Sequence, residues 1–174
     1  MRINVVGIGN PWATDDAVGL AVVQQLQAEY TSARLEQHLA DDVVTFAALP
    51  QAGLSLLDFL AQGEVLILVD AARSHAPPGT LHCETWQPDR LLSRGVERAS
   101  SHGLGVREAL ELAAVLRKLP ERVILWGIEV ASTEPGAGLS PAVAAALPLI
   151  VRQLRQALEN GVFINSGGGV IHDI

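Results

Sequence analysis

The chain reads Ile3-Asn4-Val5-Val6-Gly7-Ile8 near its start, and after a short loop through Gly9-Asn10-Pro11 it changes to a helical pattern over Asp16–Glu29. A run of Val and Ile bounded by Gly and Pro is typical of a buried strand. Within the second segment, Val18, Val22 and Leu26 recur on one face, as in a helix that packs on a sheet. This strand, loop and helix predict the first unit of an α/β domain.

The same alternation of apolar runs and helical patterns continues along the chain. Strands buried on both faces and joined by helices predict a mostly parallel sheet with helices on either side. We therefore expect a three-layer αβα sandwich around a five-stranded twisted sheet. Leu81–Trp86 follows Asp70 after the loop Pro77-Pro78-Gly79, so it is a candidate hairpin partner that would make the sheet mixed. The expected strands are Ile3–Ile8, Val43–Ala47, Val65–Val69, Leu81–Trp86 and Val123–Val130, and the expected helices are Asp16–Glu29, Gly53–Ala61, Gly103–Leu119 and Ser140–Asn160.

Size and composition predict one folded domain over residues 1–160. The chain has 174 residues, of which 49% are hydrophobic, and this is enough to form a core. Residues 161–174 contain Gly167-Gly168-Gly169 and are expected to form a flexible tail. No apolar run is long enough to span a membrane, and no signal-peptide pattern precedes Ile3. We therefore expect no membrane contact and a cytoplasmic location.

Charge and cysteine content narrow the class of partner. The net charge of −7 makes a broad nucleic-acid interface unfavourable, because an acidic surface repels phosphate. Cys83 is the single cysteine, so the sequence has neither a disulfide framework nor a thiolate metal cluster. A protein or a small molecule is the expected partner, with no nucleic acid.

Three potential metal ligands come from distant segments of the chain. In open α/β sheets ligands bind at the carboxyl ends of the strands. The first loop reaches Asp15 and Asp16, the strand Val65–Val69 runs directly into Asp70, and His102 precedes a predicted helix. Two carboxylates and one imidazole form an O,O,N set that suits Ni, Zn, Mn or Fe(II) and leaves coordination positions open.

Each of these residues also has a structural explanation. Asp15 or Asp16 could cap the helix, Asp70 could form a turn, and His102 could be an ordinary loop histidine. No Gly-x-Ser-x-Gly or His-Glu-x-x-His motif is present. A dinucleotide site is excluded because Trp12 stands where the third glycine is needed. The remaining side chains interpreted as structural or exposed are His38, His75, His82, His172 and, as a core residue, Cys83.

At these residues the sequence resembles the nickel–iron hydrogenase maturation endopeptidases. The stretch from Gly7 to Gly19, with Gly9-Asn10-Pro11 and Asp15-Asp16, is similar to the opening motif of that family. Val69-Asp70-Ala71 is similar to its second motif and Ser101-His102-Gly103 to its third. Gly127-Ile128-Glu129 and Gly138-Leu139-Ser140-Pro141 match its final strand and the approach to its last helix. The likeness extends over roughly residues 1–160.

The resemblance implies a phosphorylase/hydrolase-like fold and a specific reaction. Members of the family remove a C-terminal extension from the hydrogenase large-subunit precursor after nickel insertion. Asp16, Asp70 and His102 fall on the positions of the metal ligands in the family, and these residues would carry both metal recognition and catalysis. The nickel is supplied by the substrate, whereas the isolated protein is expected to accept other divalent metals such as Zn or Cd. A monomer is expected, and Asp15 and Glu129 are candidate general bases.

The sequence departs from the family after the second strand. Many members carry an Asp-Gly-Gly-Thr-type stretch where this chain has Ala47–Gly53, a region associated with substrate choice. Two alternatives stay open. A nickel-binding chaperone would need the same three ligands. A peptidyl-tRNA hydrolase shares the Gly-x-Gly-Asn-Pro opening but has a basic residue, His and Asn where this chain has Asp15-Asp16-Ala17.

Overall fold

A mixed β-sheet forms the centre of the computed structural model, which describes residues 1–37, 43–50, 53–60, 63–87, 97–98 and 105–160. Short 3₁₀ turns at Thr14–Ala17 and Gly53–Leu56 precede the first two helices. Within the described residues, the strands are β1 (Arg2–Gly9), β2 (Val43–Pro50), β3 (Val65–Arg73), β4 (Leu81–Thr85), β5 (Glu97–Arg98) and β6 (Arg122–Glu129), and the helices are α1 (Val18–Gln37), α2 (Leu57–Leu60), α3 (Val106–Val115) and α4 (Pro141–Asn160).

The strand order confirms a mostly parallel, mixed sheet. Five strands follow the order β2-β1-β3-β6-β4, and the two-residue strand β5 pairs with β3. The contacts of β1 with β2 and β3, and of β3 with β6, are parallel, whereas β4 is antiparallel to β6. The hairpin prediction for Leu81–Trp86 was wrong, because β4 does not pair with β3. The parallel strand β6 pairs with that edge of β3, and β4 lies on the outer edge of β6.

Two apolar layers pack against the opposite faces of the sheet, as the α/β pattern predicts. One layer contains alternate residues of β3 such as Ile67 and Val69, together with the inner faces of α1 and α4. The other contains Leu66 and Leu68 with α2 and α3. Because strand residues alternate in direction, the side chains of Asp70 and Ala72 belong to the α2/α3 face. This assignment becomes important at the carboxyl edge of the sheet.

Glycines allow α1 to approach the sheet closely. An ideal Cβ on Gly7 would lie 2.2 Å from the carbonyl oxygen of Gly19. An ideal Cβ on Gly19 would lie 2.3 Å from the carbonyl oxygens of both Ile8 and Val69. The glycines of the opening motif therefore bring the first turn of α1 onto the ends of β1 and β3.

Replacing Gly19 with alanine is expected to destabilise the protein by about 3 kcal/mol or more, because the new methyl group meets backbone atoms that cannot rotate away. Urea unfolding measures the change. Gly53→Ala is the control: its Cβ meets no described atom within 4 Å, although φ is +42°. The left-handed backbone alone should cost about 1 kcal/mol. Equal losses in the two variants would show that the close approach is not what Gly19 provides.

The boundaries of the first and last helices show which sequence signals were sufficient. The segment predicted as a helix from Asp16 begins as a 3₁₀ turn. Helix α1 continues to Gln37, and its last five residues, Ala33–Gln37, are all good helix formers. The last helix starts at Pro141 and ends at Asn160, as predicted, with Pro148 inside it. Residues 161–174 lie outside the described residues. No helix within the described ranges is long and apolar enough to cross a bilayer.

Candidate functional site

The loop after β1 folds back on itself and buries Asp16 at the carboxyl edge of the sheet. The Asp16 N–H donates to the Ala13 carbonyl at 2.8 Å, and the Asn10 N–H donates to the Asp16 carbonyl at 3.2 Å. The Asn10 side chain accepts from the N–H of Trp12 at 3.0 Å. Asp16 is left only 4% exposed, whereas Trp12 projects into solvent and is 79% exposed.

Asp15 joins this loop to the loop between β6 and α4. Its Oδ1 accepts the N–H of Ser140 at 2.6 Å, and its Oδ2 accepts the hydroxyl of Ser140 at 2.9 Å. The N–H groups of Ala131 and Ser132 also donate to Oδ2, at 2.9 and 3.2 Å. Burial alone would raise the pKa of Asp15, but these hydrogen bonds together lower it below its ordinary value. Asp15 is therefore an ionised structural clamp and does not cap the helix.

Thr14 strengthens the same connection between the two loops. Its hydroxyl is within hydrogen-bond distance of the carbonyl oxygens of Ser132, at 2.9 Å, and Glu134, at 3.0 Å. The Thr14 N–H donates to the carbonyl of Gly136 at 3.2 Å. Thr14 has φ +27°, an uncommon value for a β-branched residue. These contacts hold the turn that contains Asp16 against a loop more than a hundred residues away in sequence.

Asp70 lies inside β3 and does not end the strand as predicted. The strand continues to Arg73 because β6 pairs with it as far as Ala72 and β5 pairs with Ala72 and Arg73. Asp70 is 1% exposed, and its Oδ1 accepts the N–H of Ala71 at 2.9 Å. Since the first turn of α1 contacts the carbonyl of Val69, the structure places the segments of Asp16 and Asp70 at the same edge of the sheet.

The third residue of the predicted metal site, His102, lies outside the described residues. Within the described ranges, no group of three or more His, Cys, Asp or Glu side chains could hold a metal ion. The structure thus brings Asp16 and Asp70 to one edge as buried carboxylates. Metal binding by Asp16, Asp70 and His102 stays a prediction.

A second polar cluster lies at the same edge and was missed in the sequence. Glu129 is buried, and its Oε2 accepts from the hydroxyl of Ser74 at 2.8 Å and lies 3.0 Å from Nε2 of His82. The Ser74 N–H donates to Oε1 at 2.8 Å. From the sequence, His82 was interpreted as structural or exposed, because it does not lie at a predicted strand end in acidic company. The antiparallel register of β4 with β6 brings His82 to Glu129, which is 47 residues away in sequence.

This cluster is not a serine-protease triad. Ser74 Oγ and Glu129 Oε2 both contact the same ring nitrogen of His82, Nε2, at 3.2 and 3.0 Å. A triad requires the acid on one imidazole nitrogen and the serine on the other. Cys83 is no nucleophile either, since burial, and after it the charge of Glu84, raises the pKa of the thiol to about 11. The partial packing of Cys83 against the core agrees with its interpretation as a core residue.

Neither carboxylate suggested from the sequence suits a general base. Asp15 accepts four hydrogen bonds from the β6–α4 loop. Burial alone would raise the pKa of Glu129, but the hydrogen bonds from Ser74 and His82 lower it. Carboxylates held in this way are weak proton acceptors.

Comparisons with known proteins identify the family. The chain matches the HycI hydrogenase maturation protease family model over residues 20–157. It is 31% identical to the hydrogenase 2 maturation protease of Escherichia coli over 164 residues, which cover 93% of this chain and 94% of that protein. It is 28% identical to the hydrogenase expression/formation protein HupD of Rhodobacter capsulatus, with 99% and 79% covered. The solved structure of the hydrogenase maturating endopeptidase HybD from E. coli matches with a TM-score of 0.68 at 28% identity, covering 92% of this chain and 94% of that chain. The chain therefore belongs to the hydrogenase maturation protease family and is an endopeptidase.

Proposed function

We propose that the protein removes the C-terminal extension of a nickel–iron hydrogenase large-subunit precursor after nickel insertion, and that it recognises the bound nickel through Asp16, Asp70 and His102. The family supplies the reaction class. The observation that carries the nickel-reading role is the burial of two carboxylates, Asp16 and Asp70, where the ends of β1 and β3 meet.

Two buried carboxylates at one edge of the sheet favour a cation as the ligand that they bind together. Burying a carboxylate is unfavourable unless it is compensated by hydrogen bonds or by an opposite charge. At Asp15 the compensation comes from four hydrogen bonds. A divalent ion held by Asp16 and Asp70 would contribute an opposite charge at this edge, with His102 as the nitrogen ligand that the sequence motif predicts. This fit supports the proposal.

The donor set also suits a metal that stays with its substrate. Two carboxylates and one imidazole bind Ni²⁺ without thiolates, so the affinity is modest and the nickel can remain on the substrate's cysteines. The metal would then act as part of the substrate, and its position would direct the scissile peptide to this edge of the sheet. In the isolated protein, Zn or Cd would occupy the same ligands. We place the reaction in the cytoplasm, with a monomeric enzyme.

Incubation of the purified protein with nickel-loaded and nickel-free large-subunit precursor tests the proposal. We expect loss of the C-terminal extension, measured by intact mass, only in the nickel-loaded sample. The departure at Ala47–Gly53 makes several precursors necessary, since this region is associated with substrate choice. Cleavage of both forms would contradict nickel reading. Nickel-dependent binding without cleavage of any precursor would identify a chaperone instead of a protease.

A further inference from the structure

A glycine, Gly127, lies between Asp70 and His82 on the α2/α3 face of the sheet. Gly127 is opposite Asp70 in β3 and opposite His82 in β4, so these residues form one row across three strands. Residues paired across strands point to the same face. Gly127 is partly exposed and has no side chain of its own. We call this partly exposed backbone, between a carboxylate and an imidazole, the opening over Gly127.

The width of this opening suits a peptide. Neighbouring strands lie about 4.8 Å apart, so the backbones of Asp70 and His82 are separated by about 10 Å. An extended peptide backbone laid over Gly127 would have Asp70 on one side and His82 on the other. An ideal Cβ on Gly127 would lie 3.0 Å from Ala72 Cβ and 3.8 Å from His82 Cβ, so any side chain at position 127 would crowd Ala72.

The hydrogen bonds of His82 determine which ring nitrogen carries the proton. Glu129 is an ionised carboxylate and can only accept, so Nε2 of His82 donates to its Oε2. The Ser74 hydroxyl donates to the same oxygen at 2.8 Å and holds the carboxylate in place. In the neutral imidazole the lone pair then lies on Nδ1. In the described part of the chain, Nδ1 has no hydrogen-bond partner.

We propose that His82 is the general base and acid of the cleavage reaction, acting through Nδ1 on a peptide bound over Gly127, with Glu129 and Ser74 as positioning residues. This inference rests on the proposed function. Asp15 and Glu129 are already occupied as acceptors, whereas Nδ1 of His82 accepts no hydrogen bond from the described residues. The side chain of His82 is 15% exposed, so a water molecule or a substrate can reach it.

The proton balance of the reaction follows from this assignment. A water molecule attacks the scissile carbonyl carbon, and one of its protons passes to Nδ1 of His82. The C–N bond then breaks, its electron pair leaves with the nitrogen, and Nδ1–H returns the proton to that nitrogen. The new carboxylic acid loses its proton, which the released amine takes up through solvent. His82 ends the cycle neutral.

The test compares His82→Gln, His82→Ala and Glu129→Gln on nickel-loaded precursor. The glutamine amide at position 82 retains an N–H donor for Glu129 but has no basic nitrogen. We expect it to lower kcat by about 100-fold or more with little change in KM, because general acid–base catalysis contributes at least that factor. Glu129→Gln should cause a similar loss, because an amide at position 129 can donate to Nε2 and move the imidazole proton to Nδ1.

Rescue experiments separate a chemical role of His82 from a structural one. Added imidazole should restore cleavage to His82→Ala, whereas 1,2,4-triazole, which has a similar shape but is far less basic, should not. The wild type in the same imidazole controls for removal of nickel. His75→Asn is the matched control, since His75 is an exposed histidine with φ +67°, which asparagine tolerates. It should cleave like the wild type.

The outcomes distinguish this inference from the proposed function. A wild type that cleaves the nickel-loaded precursor together with a His82→Gln variant of equal kcat would overturn the role of His82 and leave the proposed function standing. Equal rescue by imidazole and triazole would also overturn it, because filling the space would then be sufficient. A wild type that cleaves no precursor would overturn both.

Discussion

Asp70→Asn is expected to reduce cleavage of the nickel-loaded precursor by at least about 100-fold, while the fold stays intact. The amide is a poor metal ligand, so the nickel and the scissile bond attached to it would no longer be held in register with the site. The substitution replaces one oxygen of the buried side chain by an NH₂ group of similar size, and Asp70 is 1% exposed. We therefore expect the metal-free variant to keep its fold and to unfold cooperatively in urea.

Cleavage is followed by intact mass, and the stability of the metal-free protein is measured by urea unfolding. Titration of the isolated protein with Zn or Cd should show weaker binding in Asp70→Asn than in the wild type. His102→Ala should behave in the same way, with cleavage abolished and the fold intact. Normal processing by either variant would remove that residue from the nickel-reading set. Loss of activity together with a large loss of stability would instead identify Asp70 as a structural residue.

Asp15→Asn should produce the opposite pattern and destabilise the protein by about 2–4 kcal/mol near neutral pH. An amide NH₂ in place of either oxygen would face N–H donors from Ala131, Ser132 or Ser140, so charge-assisted hydrogen bonds are lost and donors oppose each other. The connection between the two loops would loosen, and the turn that carries Asp16 would lose its support. Cleavage should therefore fall as a consequence of the structural change.

The contribution of Asp15 to the free energy of unfolding depends on pH. The pKa of Asp15 is lower in the folded protein than in the unfolded chain, so its stabilising contribution is present above the unfolded value of about 3.9 and is lost as the pH falls through the folded value. The wild type should therefore lose more stability than Asp15→Asn between neutral pH and acid. Asp58→Asn, which changes an exposed acid in α2, should stay within about 0.5 kcal/mol of the wild type. Parallel pH profiles for the wild type and Asp15→Asn would contradict the clamp.

The sequence was informative where the chemistry lies in a contiguous motif. Asp16 and Asp70 each follow an apolar strand pattern, and parallel strands bring their carboxyl ends to one edge, so their common location was predictable. The separate roles of Asp15 and Asp16 could not be predicted from the sequence. Adjacent carboxylates look equivalent in sequence, and only contact with the Ser140 loop makes Asp15 a clamp.

The sequence alone determined the α/β class, the parallel strands and the bounds of the last helix. These features depend on local periodicity and on Gly and Pro signals. The tertiary structure alone decided where β4 pairs, and with it the cluster of His82, Ser74 and Glu129. Strand order depends on contacts between segments that are distant in sequence, and the local pattern of one strand does not specify its neighbours. The opening over Gly127 could not be predicted from the sequence either, because only the strand pairing shows that Asp70 and His82 flank this glycine.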